Sequence, residues 1–314
     1  MRLDRTLANA HPGAMGRLLH KSIRLGEGRR ATILERPARL LDGDALARFT
    51  ADLRTVAGAA VPGGDLDYGV LDPASGALDR SVVTLIHDRD GRPVAFNALA
   101  LIDLSDERVL HLGLVMIDPR VRSGGLSWAL YGLTCFLLFA REGFRPITVT
   151  SVSQVPAVIG MVARTFSDVF PDPSREGRAG LRQRLVARAL VRDHAHVFGV
   201  DGRARLDEDR FVLEDAYHGG SDALKKRFED AQGHREQVFN DWARRELDYE
   251  RGDDAVQVGR IDAGAARTFL LRQVPRSSAL SVLLVAGFSA LERFVLPLVH
   301  WFDVRRPFGV LRPR

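Results

Sequence analysis

The 314 residues, 46% of them hydrophobic, suffice for one large domain or two small ones, because single cores stop growing at roughly 250–300 residues. A single cysteine, Cys135, excludes an intrachain disulfide, and the opening MRLDRTLANAHPG lacks the apolar run of a secretory signal, so a cytoplasmic, reducing setting is expected. The net charge of +5 is unevenly spread: residues 1–40 carry nine basic and three acidic side chains, residues 267–314 eight and two, around an acidic middle. Basic ends suit an anionic surface such as the cytoplasmic face of the inner membrane. Nucleic acid ranks below it, because no zinc-finger, basic-zipper or RNA-recognition pattern is present. Only three of the 45 basic residues are lysines, a bias of the kind high-GC coding produces, so a single arginine carries little signal.

In chain order, residues 1–30 read as a basic arm and 31–35 as a short strand. Residues 44–56 space Leu46, Phe49, Leu53 and Val56 as a helix behind Asp42 or Asp44, and Pro62-Gly63-Gly64 breaks the chain. The β-rich runs 82–87 and 94–104 flank Asp88-Arg89-Asp90-Gly91-Arg92, which predicts a hairpin, and residues 109–117 make a third strand. Residues 126–140 are apolar on nearly every face and too short to span a bilayer, which predicts a core helix against a sheet. A strand over 146–152 and a helix over 154–166 complete a core assigned to residues 31–170. Residues 171–273 are more polar, with helices expected over 178–197 and 221–250 and strands over 210–214 and 256–261, completing the sheet and inserting a helical lid. Residues 274–314 hold a broken apolar run over 279–302 with Trp301, followed by Arg305, Arg306, Arg312 and Arg314.

The chemistry is expected at the turn after the third strand. Asp118-Pro119 ends the strand, Arg120 and Arg122 follow, Ser123, Gly124 and Gly125 form the turn, and a helix starts near Leu126 and Ser127. A helix N-terminus with glycines before it points several backbone N–H groups at an anion and lets the main chain come close, which suits a pyrophosphate such as that of coenzyme A. Arg122, two residues, Gly125, one residue and Ser127 resemble the signature of the GNAT N-acyltransferases, which continues with glycine or alanine where this chain has Ser127. The order helix, hairpin, longer strand, glycine turn, apolar helix, strand, helix is similar to theirs. The resemblance covers roughly residues 31–170. It implies an α/β (α+β) fold with a mixed, mainly antiparallel sheet flanked by helices, here with a helical insertion and an apolar C-terminal segment. It also implies an acyl-CoA co-substrate, an amine acceptor and no metal, with Val115, Ile117, Arg120, Arg122, Ser123, Gly124, Gly125, Leu126 and Ser127 around the donor. Downstream, Gln154, Ala157, Met161 and Thr165-Phe166 keep a second family spacing, but Met161 stands where the family often has a tyrosine that protonates the departing thiolate.

Direct attack of an amine on a thioester needs a base tuned near neutrality and a group that polarises the carbonyl. His111, eleven residues ahead of Arg122, is the candidate base, with a hydrogen-bonded strand histidine as the plain alternative. Strict alternation puts His111, Gly113, Val115 and Ile117 on one face of the strand and Leu112, Leu114 and Met116 on the other. Asp103, Asp106 and Glu107 are fallback bases, more simply read as solvated turn charges. A strand N–H near Val115 or Met116 would polarise the carbonyl. Ser151 and Ser153 could meet the acceptor or the pantetheine arm, or merely cap locally, and Cys135 in its apolar run reads as a buried hydrophobe rather than a nucleophile.

The broken apolar tail suits a segment lying in a lipid interface, with packing in a core or a homodimer as the alternative. Membrane contact through residues 279–314 makes a lipidic amine attractive as acceptor. The chain resembles the GNAT-like enzymes thought to make ceramides in some bacteria by N-acylating a long-chain sphingoid base. A soluble N-acetyltransferase of small amines or peptides, and a non-catalytic binding protein of the same fold, are the competing expectations.

Overall fold

The computed structural model describes residues 18–63, 68–104, 107–126, 128–218 and 221–294. Among these, ten strands form one sheet: β1 (His20–Arg24), β2 (Arg30–Glu35), β3 (Ser81–His87), β4 (Pro93–Leu104), β5 (Glu107–Ile117), β6 (Ile147–Ser153), β7 (Ser167–Phe170), β8 (Arg205–Asp207), β9 (Val212–Glu214) and β10 (Asp254–Ile261). Their order is β1-β2-β3-β4-β5-β6-β10-β9-β8, with β7 paired to β10 off this path. Pairing is antiparallel except between β5 and β6, where a parallel neighbour needs a crossover connection. Residues 118–146 supply it.

The helices are α1 (Pro37–Leu40), α2 (Gly43–Ala60), α3 (Thr134–Arg141), α4 (Pro156–Thr165), α5 (Leu181–His194), α6 (Gln237–Glu246), α7 (Ala263–Thr268) and α8 (Arg276–Phe294). Asp42 starts α2 by accepting the Ala45 N–H at 2.9 Å, which satisfies a donor that the first turn leaves open. That helix lays Phe49, Leu53 and Val56 on Leu34, Val83, Leu85 and Phe96 of the sheet. Further along the same face, Val186, Ala187 and Leu190 of α5 cover Val109, Val256 and Val258. The opposite face is covered by residues 128–141 and α8, where Leu130, Leu133 and Leu137 meet Leu99, Leu110 and Leu112. Two covered faces leave β5 and β6 in the middle of the molecule, buried on both sides.

The hairpin, the third strand and the strand at 256–261 appear where their β-branched runs predict them. Four features differ. The last residues of the stretch read as an arm form β1, an edge strand too short for alternation to show, closed by a hydrogen bond from Leu19 N–H to Glu35 at 2.9 Å. A further short strand, β7, follows α4. The long helix expected over 221–250 reduces to α6 and two single turns at Asp222–Leu224 and Phe228–Asp230. Ahead of α6 the sequence offers only Leu224 and Phe228 to bury and then places Gly233, which costs about 1 kcal/mol inside a helix. Finally, the apolar helix begins as a π-helical stretch, Trp128–Leu133. Asn97 Nδ2 donates to the Leu130 carbonyl there, and the Thr84 and Thr134 hydroxyls share a hydrogen bond at 2.5 Å. Side-chain capture of a helix carbonyl opens the ladder to the wider register.

Candidate functional site

The parallel ladder between β5 and β6 runs only from Val109 opposite Thr148 to Leu112 opposite Ser151. Beyond it β5 continues to Ile117 and β6 to Ser153, so the two strands pass on without pairing to each other. Two parallel strands that part in mid-sheet leave a row of backbone N–H and C=O groups on each edge for an inserted extended chain.

The parting coincides with a bulge in β5. Asn97 of β4 faces Val115 and Leu99 faces Leu112, so Ala98 stands against two residues, Gly113 and Leu114. Glycine is required at the first of them: a Cβ on Gly113 would lie 2.7 Å from the Ala98 carbonyl oxygen. The extra residue overturns the strict alternation expected for this strand. His111 shares its face with Leu114 and Met116, while Val115 and Ile117 join Leu112 against Leu126 and Leu130.

His111 is fully buried at the root of the splay. Its Nδ1 is 3.0 Å from the Thr150 hydroxyl on the paired residue of β6, and its ring packs on Phe198 with centroids 5.0 Å apart. Burial pushes its basicity down to about 4, so the imidazole is neutral at pH 7. The described fallback bases, Asp103 of β4 and Glu107 of β5, lie at the hairpin end of the two strands. Glu107 is bonded to Thr148 and Arg182, Asp103 pairs with Arg108 at 3.4 Å, and Asp106 falls outside the described residues. Ser153 accepts the Val155 N–H at 3.1 Å, the local cap that its place at a strand end suggests. Ser151 is buried in the ladder. Cys135 is buried in the core, and burial pushes its thiol up to about 12.

The turn leaves β5 through Asp118, whose buried carboxylate accepts from Arg120 N–H at 2.9 Å and from its guanidinium at 2.5–3.1 Å. Arg120 is therefore tied back over the turn with its outer side in solvent. Arg122, Ser123 and Gly124 end the helical turn Pro119–Gly124, and Gly125 follows at φ +61°, a left-handed conformation that suits glycine. Leu126 is buried beside Leu130, and Ser127 falls outside the described residues. The arrangement brings Val115, Ile117, Leu126 and the turn to one face of the splay and His111 to the other. Met161 packs half-buried on the same core as Val115 and Ile117.

A second set of polar groups, of which the sequence singled out only Gln154, gathers where β6 ends. Asp254 opens β10 one residue before Ala255, which pairs with Ser153, and its side chain shares the face of Val256 and Val258. Tyr217 O–H donates to Asp254 at 3.0 Å and lies 2.6 Å from the Gln154 amide, while Tyr249 O–H donates to the Gln154 carbonyl at 2.6 Å. Burial raises Asp254 to about 7 against the bond from Tyr217, and holds Tyr217, Tyr249 and Tyr68 above the ordinary phenol range. The neighbouring Asp253 is instead clamped by Arg251 at 2.7 Å. Tyr68, near enough for Asp254 to act on it, also packs at Gly199, next to the Phe198 that carries His111. The pair Asp253-Asp254 before a strand was the only local signal; the tyrosines come from distant loops. Among the described residues no His, Cys, Asp and Glu group could hold a metal ion.

Two solved structures are similar to part of this chain. A mutant of spermidine N-acetyltransferase from Vibrio cholerae aligns over 48% of this chain and 82% of its own, at 14% identity and a TM-score of 0.32. Nourseothricin acetyltransferase aligns over 23% of this chain and 41% of its own, at 24% identity and a TM-score of 0.19. No family model and no curated protein matches the chain.

Proposed function

We propose that the chain is an acyl-CoA-dependent N-acyltransferase of the GNAT type in which an amine attacks the thioester directly. The observation that carries this reading is the parallel β5/β6 pair, closed from Val109 to Leu112 and parted beyond, with a glycine-containing turn at the end of β5. Pantetheine is an extended chain with two amides and suits the unpaired strand edges. The turn residues Arg122, Ser123, Gly124 and Gly125, with Leu126 and Ser127, would hold the pyrophosphate through main-chain N–H groups. Val115 and Ile117 line the donor side, and an N–H beyond the bulge polarises the carbonyl. Arg120, held by Asp118, adds positive charge at the rim. His111 sits at the reacting end as a neutral hydrogen-bonding group, able to accept a proton in passing but too weakly basic to store one at pH 7.

For the acceptor we favour a lipidic amine, such as a long-chain sphingoid base. The support is α8: Val282 is buried against the core, while Leu280, Leu284, Phe288 and Leu291 are exposed along one side with Leu283 beside them. Lys21 lies 4.9 Å over the Phe288 ring. An exposed apolar stripe with a lysine at its border suits a helix lying in an anionic lipid interface. Among the described residues no helix is long and apolar enough to cross a membrane, and the remainder of the tail, 295–314, lies outside them. Thiol release from acetyl- and palmitoyl-CoA, with dihydrosphingosine or spermidine as acceptor, tests the reading. Release with the long-chain pair is expected. Release with acetyl-CoA and spermidine alone would replace the lipid acceptor by a small amine, and none with any pair would overturn the enzyme reading. Sedimentation with phosphatidylserine vesicles, lost in Leu284→Glu, tests the interface separately.

A further inference from the structure

Between α2 and the strands β1–β3 runs a groove of about 230 Å³, lined by the apolar Leu34, Phe49 and Leu85 and by the polar Thr32, Arg48 and His87. Strand register arranges further polar groups in rows on the same face. Arg24 of β1 stands directly opposite Arg30 of β2, and Arg30 directly opposite His87 of β3; the next row is Ser22, Thr32 and Leu85. Alternation keeps both rows on the side of Leu34 and Leu85, which pack under α2. Neighbouring strands lie only about 4.8 Å apart, so the first row sets two guanidinium-bearing side chains and an imidazole side by side at the border of the groove. Arg48 adds a third guanidinium from α2. Like charges directly opposite one another on a sheet repel. Elsewhere arginines are matched with carboxylates, as Arg39 is with Asp79, Arg164 with Glu236 and Arg188 with Glu208. Here Glu27, the acid of the turn between β1 and β2, is taken by Arg29 at 2.8 Å, and Asp52, the one acid lining the groove, by His87 at 3.1 Å. Among the described residues Arg24, Arg30 and Arg48 have no ion-pair partner. In a chain so rich in arginine one unmatched guanidinium says little, but three around one groove make a site for an anion.

We propose that this groove binds a phosphate monoester, its phosphate held across Arg24, Arg30 and Arg48 and its ester group seated on Leu34, Phe49 and Leu85. A dianion answers three unmatched guanidiniums better than a carboxylate does, and its oxygens can take the planar forks two at a time. Ser22 and Thr32, one row in, supply hydroxyls between the cations and the apolar lining. Volume limits the ester group: a cavity of about 150 Å³ holds a benzene ring. The groove, at about 230 Å³, therefore holds an aryl group or the first few carbons of a chain and not a full acyl tail. Leu34, Phe49 and Leu85 belong to the core under α2, whereas Leu126 at the end of the glycine turn belongs to the core on the opposite face of the sheet. The site is thus separate from the proposed donor turn and does not depend on the acyltransferase reading. Such an ester has two sources: a soluble compound, or phosphatidic acid in a membrane met by α8, whose Phe288 lies under Lys21 on the other face of β1.

Calorimetry on the full chain in a chloride buffer of low ionic strength, with phenyl phosphate as the probe, tests the site. Phenyl phosphate should bind about tenfold more tightly than inorganic phosphate, because only it fills the groove. The double substitution Arg24→Gln with Arg30→Gln should weaken it about tenfold or more, and Arg48→Gln, on a different element, should weaken it too. No binding of phenyl phosphate, or binding indifferent to all three substitutions, overturns the site. Equal affinity for the two probes overturns the groove as the seat of the ester group. Urea unfolding without phosphate guards against a folding defect: the double variant should unfold at the same or a higher urea concentration than wild type, because a like-charge pair has gone. A lower midpoint would overturn the reading of an unsatisfied cation row. Gly125→Val should leave phenyl phosphate affinity unchanged, and a loss there would put the probe in the donor turn and overturn a separate site. Sedimentation with phosphatidylcholine vesicles carrying phosphatidic acid or, at matched surface charge, phosphatidylserine distinguishes the sources. An excess on phosphatidic acid that phenyl phosphate and the double substitution both remove supports the site and names the lipid headgroup; calorimetric binding with no such excess supports it and names a soluble ester.

Discussion

His111 and Asp254 should pull the stability of the protein in opposite directions over one pH range. His111 falls from 6.5 to about 4 on burial, so the unfolded chain holds a proton there that the folded chain lacks. Its contribution is full above pH 6.5 and is lost as pH falls toward 4, a swing of about 3 kcal/mol. Asp254 rises from 3.8 to about 7, so here the folded chain holds the extra proton. Its contribution is full below pH 3.8 and is lost as pH rises through 7, a swing of about 4 kcal/mol. In the wild type the two slopes oppose each other. Removing one exposes the other, and differences from wild type cancel every remaining group. Stability from urea unfolding, followed by tryptophan fluorescence at half-unit pH steps, is the assay. From pH 4 to 7, Asp254→Asn should gain on wild type by about 3 kcal/mol, and His111→Gln should fall behind by about 3 kcal/mol. Flat differences, or differences of one sign, would refute the burial that places both groups inside.

Three simpler outcomes follow from local geometry. Gly113→Ala forces a Cβ against the Ala98 carbonyl, a main-chain atom no rotamer change can move, and should cost about 1–3 kcal/mol in urea unfolding; a neutral effect would deny the bulge. Gly125→Val places a β-branched residue at φ +61°, and calorimetry should show coenzyme A affinity down about tenfold or more, whereas unchanged affinity would move the donor site elsewhere. Cys135, buried with its thiol pushed up to about 12, should resist iodoacetamide at pH 8 until urea unfolds the chain; stoichiometric labelling of the folded protein would contradict its placement.

Much of the fold is legible because it is written locally. The turn at Asp88–Arg92, the Asp42 cap and the β-branched runs act over a few residues, so the hairpin, α2 and β5 follow from short stretches. The bulge at Gly113 is not legible, because an extra residue in a strand shows only against its partner, and Ala98 lies across the β4–β5 turn. The turn at 118–126 is marked by its glycines. Asp254 is hidden for a different reason: its character comes from Tyr217, Tyr68 and burial beneath distant loops, none of which a carboxylate at a strand start announces. Residues 221–236 show the converse failure, where a charged helical-looking stretch lacks an apolar face to hold it as a helix.

The bulge in β5 acts as a phase shifter. Without Gly113 every second residue from His111 onward would address the same side of the sheet, and a change that suited one ligand would disturb the other. With it, positions 115 and 117 answer to the core beneath the turn and positions 114 and 116 to the opposite core. On the proposed reading, one strand therefore serves two substrates through two independently adjustable sets of side chains, and donor and acceptor preference can be altered separately by substitutions only one residue apart.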